Sequence, residues 1–123
     1  MARSSLPSTI RILIAGLALA LPSAAQAPRD AARLRAFFHE NCVKCHGEDG
    51  SAVGIDGKKL KGLDFTDPKL MAGRDDPELA KTIRKGIFFG LGMPSFKKQL
   101  TDAEIQTLIT EVLRKAEKGK TIS

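Results

Sequence analysis

Apolar residues fall into distinct patterns along this chain, and each pattern predicts a different use. Ile12 to Leu21 is an unbroken run of apolar and small residues. From about Asp30 to Cys42 the apolar positions Leu34, Phe37, Phe38 and Cys42 share one helical face, with Asp30 placed to cap the start. Gly47 to Gly73 is rich in glycine and shows neither helical nor strand periodicity, which predicts loop. A second helix is announced by Asp75-Asp76-Pro77-Glu78, carries Leu79 and Ile83 on its apolar side, and ends before Gly86. The last helix has the strongest signal, with Ile105, Leu108, Ile109, Val112, Leu113 and Ala116 forming one continuous stripe. Thr101 and Glu104 make a capping box at its start, and Leu100 and Ile105 occupy hydrophobic-staple positions. Arg114, Lys115 and Lys118 crowd its final turn and read as a solvated end that complements the helix dipole, with Gly119 as the stop. From Lys118 onward the chain is predicted to be a mobile tail.

The opening run reads as an address. Arg3 and Arg11 give a basic start, and Pro22 to Ala27 offers small-residue cleavage sites, the layout of a secretory signal. The run is well short of the roughly 20 apolar residues that span a bilayer. An uncleaved anchor is the competing reading. Cleavage after Ala25 is preferred, because a cut after Ala27, the alternative, would leave Pro28 against the peptidase. The arginines are not adjacent, so export as an unfolded chain is expected. Residues 1–25 are therefore predicted to be removed, with residues 26–123 forming one domain.

Charge and size narrow the options. The formal charge is +6, of which Arg3 and Arg11 leave with the leader. The chain has no tyrosine or tryptophan to stack on bases, and its basic residues form no long run, so nucleic-acid binding is poorly supported. A domain this small builds only a thin core from side chains. An internal apolar cofactor would thicken it.

Both cysteines lie in Cys42-Val43-Lys44-Cys45-His46, followed by Gly47, which is the spacing of c-type haem attachment. Each thiol can add to a vinyl group along one haem edge, and the histidine can face the iron. A disulfide across so short a loop would restrict the unfolded chain little. A dithiol redox site needs a βαβ pattern that is missing, and zinc needs further ligands. Met93, Met71 and His39 are the candidates for the other face of the iron. Met93 sits in Phe88-Phe89-Gly90-Leu91-Gly92-Met93-Pro94-Ser95-Phe96, where glycines permit close approach and a proline stiffens the loop. This favours Met93 as a ligand over a role as core filler. Met71 reads as a packing or exposed residue and His39 as a surface histidine.

The haem motif, the Gly92-Met93-Pro94 segment and the capped last helix together resemble the small monohaem class I cytochromes c of the bacterial periplasm. The resemblance covers nearly all of residues 26–123. It implies an all-α fold in which the first and last helices cross beside a single covalent haem c, with one haem edge reaching solvent. It implies Cys42 and Cys45 as attachment points, His46 as proximal ligand, Met93 as distal ligand, and no catalytic residue. Relatives often place tryptophan or tyrosine near the haem propionates, and this chain has neither. Phe88, Phe89 and Phe96 are expected to wall the pocket, and Arg74, Arg84 and Lys58 stay open as propionate partners.

With protein on both axial positions, no coordination site is open to substrate. Outer-sphere one-electron transfer in the periplasm is then expected, at a relatively positive potential. Lys44, Lys58, Lys59, Lys61, Lys85, Lys97 and Lys98 are candidates for guiding an acidic donor or acceptor protein. No stable membrane insertion is expected, and the chain reads as a monomer or a subunit of a complex. The competing functions are a haem subunit of a larger periplasmic oxidoreductase and, behind it, a sensor or peroxidase-like protein with a displaceable distal ligand.

Overall fold

The computed structural model describes residues 27–123 together with Gly16. The expected leader and its cleavage site at Ala25 fall outside the described residues, Gly16 excepted. Helix α1 (Ala31–Asn41) starts where its cap predicts, with the Asp30 carboxylate accepting from the Arg33 backbone N–H. It runs through Cys42 into the short α2 (Val43–His46), so the haem motif continues the first helix. Helix α4 (Asp76–Lys85) is capped by Asp75 and stops at Gly86, as its punctuation requires. Helix α5 (Asp102–Leu108) shows the complete capping box, with Thr101 and Glu104 bonded reciprocally.

The core lies where α5 packs against α1 and α4. Leu34 and Phe38 of α1 and Ile105, Leu108 and Ile109 from the last stripe are fully buried. Phe37 meets Phe96 edge-on with ring centroids 5.7 Å apart, and Phe38 meets Phe65 at 6.3 Å. Such pairs add to the burial of their area. No strand occurs among the described residues; only isolated bridges join Val53 to Lys59 and Ile87 to Met93. No described helix is long and apolar enough to cross a membrane.

Several expectations need correction. The stretch read as loop contains α3 (Pro68–Ala72), capped by Asp67 through the Lys69 and Leu70 backbone N–H groups, with Met71 buried on its inner side. The last helix is not uniform: after Leu108 it widens into a π-helical segment, Ile109–Leu113, in which the Arg114 N–H reaches back to the Ile109 carbonyl at 2.9 Å. Arg114 is no solvated helix end. It donates to the carbonyls of Met71 and Arg74 at 2.7 and 2.6 Å and pairs with Asp76 at 2.8 Å, clamping the α3–α4 corner to the last helix. The tail is also pinned. Ile122 is buried and donates its N–H to the Glu48 carbonyl, the Gly119 N–H reaches Asp49, and Arg35 holds the Ser123 carbonyl.

Upstream of α1, Arg29 lies over the Phe37 ring and meets both carboxylate oxygens of the buried Glu104. The hydrogen bond from Arg29 holds the Glu104 carboxyl at about 2, against a weaker opposing effect of burial. This pair locks the start of the domain to the start of α5.

Candidate functional site

α1–α2 and the loop that returns under them build one wall of a cleft. The Gly62 N–H donates to the Cys45 carbonyl at 2.7 Å, which lays residues 62–63 against α2. The Leu63 carbonyl then meets His46 Nδ1 at 3.0 Å. A carbonyl only accepts, so Nδ1 carries the proton and Nε2 keeps its lone pair. Burial keeps the imidazole below its ordinary value, against the opposing effect of the Leu63 bond, so the ring is neutral. Phe65 stacks on it with centroids 4.5 Å apart and planes 17° from parallel, fixing its tilt. Gly62 is required here: a Cβ would fall on the Cys45 carbonyl and within 2.5 Å of His46 Nδ1. Burial, with Cys45 beside it, pushes the Cys42 thiol up to about 12.

The facing wall comes from α4 and the chain after it. At Gly86, φ is +73° and a Cβ would fall on the Met93 carbonyl, so only glycine lets the chain turn this closely. The Ile87 N–H donates to the Met93 carbonyl at 2.9 Å, and the Ser95 hydroxyl donates to the Arg84 carbonyl at 2.6 Å. These bonds form the neck of a short loop and set Met93 beside the cleft.

The cleft holds about 980 Å³ of empty space, its open mouth included. Cys42, Cys45, His46 and Met93 all line it, with Leu79, Ile83, Phe96 and Leu113 supplying apolar surface. Its chemistry fits haem: paired thiols at one edge, a neutral imidazole with a fixed tautomer, a thioether, and apolar side chains for a flat ring. Met71 and His39 do not reach it; Met71 packs in the core and His39 is exposed.

Sequence reasoning missed Gly62, Leu63 and Phe65, which hold His46 without touching the motif in sequence. The glycine-rich composition after Gly47 was the only available signal. Of the pocket aromatics, Phe96 lines the cleft, but Phe88 and Phe89 turn outward into solvent. Of the basic residues left open, Arg74 borders the cleft beside Glu78, to which it is bonded at 3.3 Å, and Lys61 and Asn41 join it. Arg84 is drawn away to Asp102 at 2.8 Å, and Lys58 sits near Asp56 at 3.6 Å; neither borders the cleft.

Residues 29–110 match the family described as cytochrome c oxidase, cbb3-type, subunit III. A cytochrome c6 from Leptolyngbya boryana is 37% identical over 91 residues, spanning 73% of this chain and 98% of that protein. Among solved structures, the KustC0563 c-type cytochrome superposes with a TM-score of 0.53 at 25% identity, covering 73% of this chain and all of that one. A point variant of the same cytochrome gives 0.56 at 28%, covering 72% and 100%. The match across most of the domain, together with the c6 relative, shows that the chain belongs to the cytochromes c, electron-transfer proteins that carry a covalently bound haem c.

Proposed function

We propose that the chain is an exported, periplasmic electron carrier whose haem is bound through Cys42 and Cys45, with His46 and Met93 as axial ligands. The observation that carries this reading is that His46 and Met93 line one cleft while the competing ligands, Met71 and His39, do not. Haem iron, when bound, supplies a one-electron ferrous/ferric couple. The Leu63 carbonyl holds the His46 N–H and aims its lone pair inward, while Phe65 prevents the ring from rotating. The Met93 thioether, a soft ligand, favours the reduced state. Leu79, Ile83, Phe96 and Leu113 exclude water and keep the change in solvation on electron transfer small. The basic, apolar start of the chain supports export, with removal of residues 1–25. Surface lysines such as Lys44 and Lys61 support docking to an acidic protein partner.

The test is an absorption spectrum of the processed protein in both oxidation states, with a pyridine haemochrome assay. One covalent haem per chain and a methionine-to-iron charge-transfer band that disappears in Met93→Ala are expected. Rapid carbon monoxide binding to the reduced native protein at neutral pH would instead favour a sensor or peroxidase-like protein. A second reading, a fixed haem subunit of a larger oxidoreductase, is favoured by the description of the matching family. Purification from the native host as a stable complex supports it over a free shuttle.

A further inference from the structure

The loop between Gly86 and Met93 is built unlike the rest of the surface. Its tip exposes Phe88 at 76%, Phe89 at 107% and Leu91 at 92%, with Ile87 half out at its base. Buried apolar residues of this size stabilise a fold, so leaving them outside calls for an explanation. The backbone does not let them collapse inward. Phe88 and Phe89 both adopt left-handed conformations, with φ of 49° and 55°, a costly choice for bulky side chains.

From Gly86 to Leu91 the loop carries no side-chain hydrogen-bond donor or acceptor and no charge. Its backbone, by contrast, is satisfied in part from within. The N–H groups of Gly90 and Gly92 donate to the Ile87 carbonyl, that of Leu91 to the Phe88 carbonyl, and that of Ile87 to the Met93 carbonyl. Internal pairing of backbone donors is what a segment needs in order to leave water for an apolar medium. A specific protein interface needs polar groups to fix orientation, and this tip offers none.

Charge is placed behind the apolar tip. Lys85 precedes the loop and Lys97 and Lys98 follow it, and all are exposed, with no carboxylate partner among the described residues. The loop's two chain ends are tied together, because the Phe96 N–H donates to the Ile83 carbonyl at 3.0 Å. The lysines therefore flank one neck. No aspartate or glutamate lies between residues 85 and 98, and the nearby Arg84 is already neutralised by Asp102. An apolar tip backed by ammonium groups is the arrangement that inserts side chains at the acyl boundary while amines meet lipid phosphates.

We propose that Phe88, Phe89 and Leu91 insert into the interfacial layer of an anionic phospholipid bilayer, with Lys85, Lys97 and Lys98 seated at the depth of the phosphates. The attachment is peripheral and reversible. It presents the Met93 side of the cleft to the membrane, so a bound carrier would search for partners in two dimensions.

The test uses the processed holoprotein and sedimentation with vesicles of phosphatidylcholine alone or with 30% phosphatidylglycerol. Binding to the anionic vesicles that weakens with added salt is expected, and little binding to the neutral ones. Phe89→Ser should lower binding roughly tenfold or more, and Phe89→Trp should retain it, because a large aromatic still enters the interface. Lys97→Glu with Lys98→Glu should lower it on anionic vesicles alone. Each variant is compared with native protein of identical amino terminus, which removes any contribution from a retained leader. Failure of the native protein to bind anionic vesicles would overturn the proposal. So would undiminished binding by Phe89→Ser, which would mean that the lysines act alone, or self-association abolished by Phe89→Ser without vesicle binding, which would assign the tip to a protein surface.

Discussion

The two walls of the cleft are held in opposite ways. The His46 wall is over-determined: a helix, a backbone bond from Gly62, a side-chain bond to Leu63 and the face of Phe65 all specify one ring position. The Met93 wall hangs from a neck of a few hydrogen bonds and carries an outward apolar tip. One wall is a fixed reference, and the other can yield without unfolding the domain. Under the proposed ligation, such an arrangement gives firm cofactor retention on one side and an adjustable ligand on the other.

The largest test of this contrast is Gly62→Ala. Its Cβ would meet backbone and the His46 ring together, with no flexible side chain to give way. A loss on the order of 3 kcal/mol is expected, lowering the melting temperature by roughly 10–20 °C, together with less covalent haem per chain. Gly86→Ala is the counterpart on the Met93 wall. It should cost about 2 kcal/mol by thermal unfolding, yet leave haem attachment intact while weakening the charge-transfer band. Equal loss of attached haem in both variants would erase the distinction between the walls.

Glu104 tests the frame shared by both walls. Its carboxyl sits at about 2 in the folded chain against an ordinary 4.5, so the unfolded chain binds the proton more tightly. The stabilisation is therefore present above about pH 4.5 and lost as pH falls toward 2. Glu104→Gln should lower stability at pH 7 by on the order of 2 kcal/mol and flatten acid unfolding across that window, measured by circular dichroism. The smallest expected effect is Ser95→Ala, about 1 kcal/mol by denaturant unfolding, from loss of one bond at the neck. A far larger loss would show that the neck is structural in the same sense as Gly62.

Local chemistry was legible before the structure. Asp30, Asp75 and the Thr101–Glu104 box mark helix starts because caps act within one turn of chain, and all are seen. The haem motif and Met93 were legible because each carries its signal in a few adjacent residues, and the structure brings them to one cleft. Helix α3 escaped notice because five residues are too few to show a period, although Asp67-Pro68 has the same cap logic as Asp75. Gly62, Arg114 and Ile122 owe their roles to partners far along the chain, which no local pattern encodes. Phe88 and Phe89 misled for the reverse reason: their apolar character predicts burial, and their left-handed backbone prevents it.

The π-helical segment has a consequence for how this chain tolerates change in length. Deleting one residue from Ile109–Leu113 would let the helix relax to ordinary α spacing, a local gain in regularity. Because the widened turn holds one residue more than an α turn, everything downstream would keep its angle about the axis. Straightening the segment at unchanged length would instead turn Arg114 by roughly 100° off the Met71 and Arg74 carbonyls, and the corner that carries Arg74 to the cleft would lose its clamp. The widened turn thus works as a phase shifter, setting the angle at which the end of the last helix grips its neighbours.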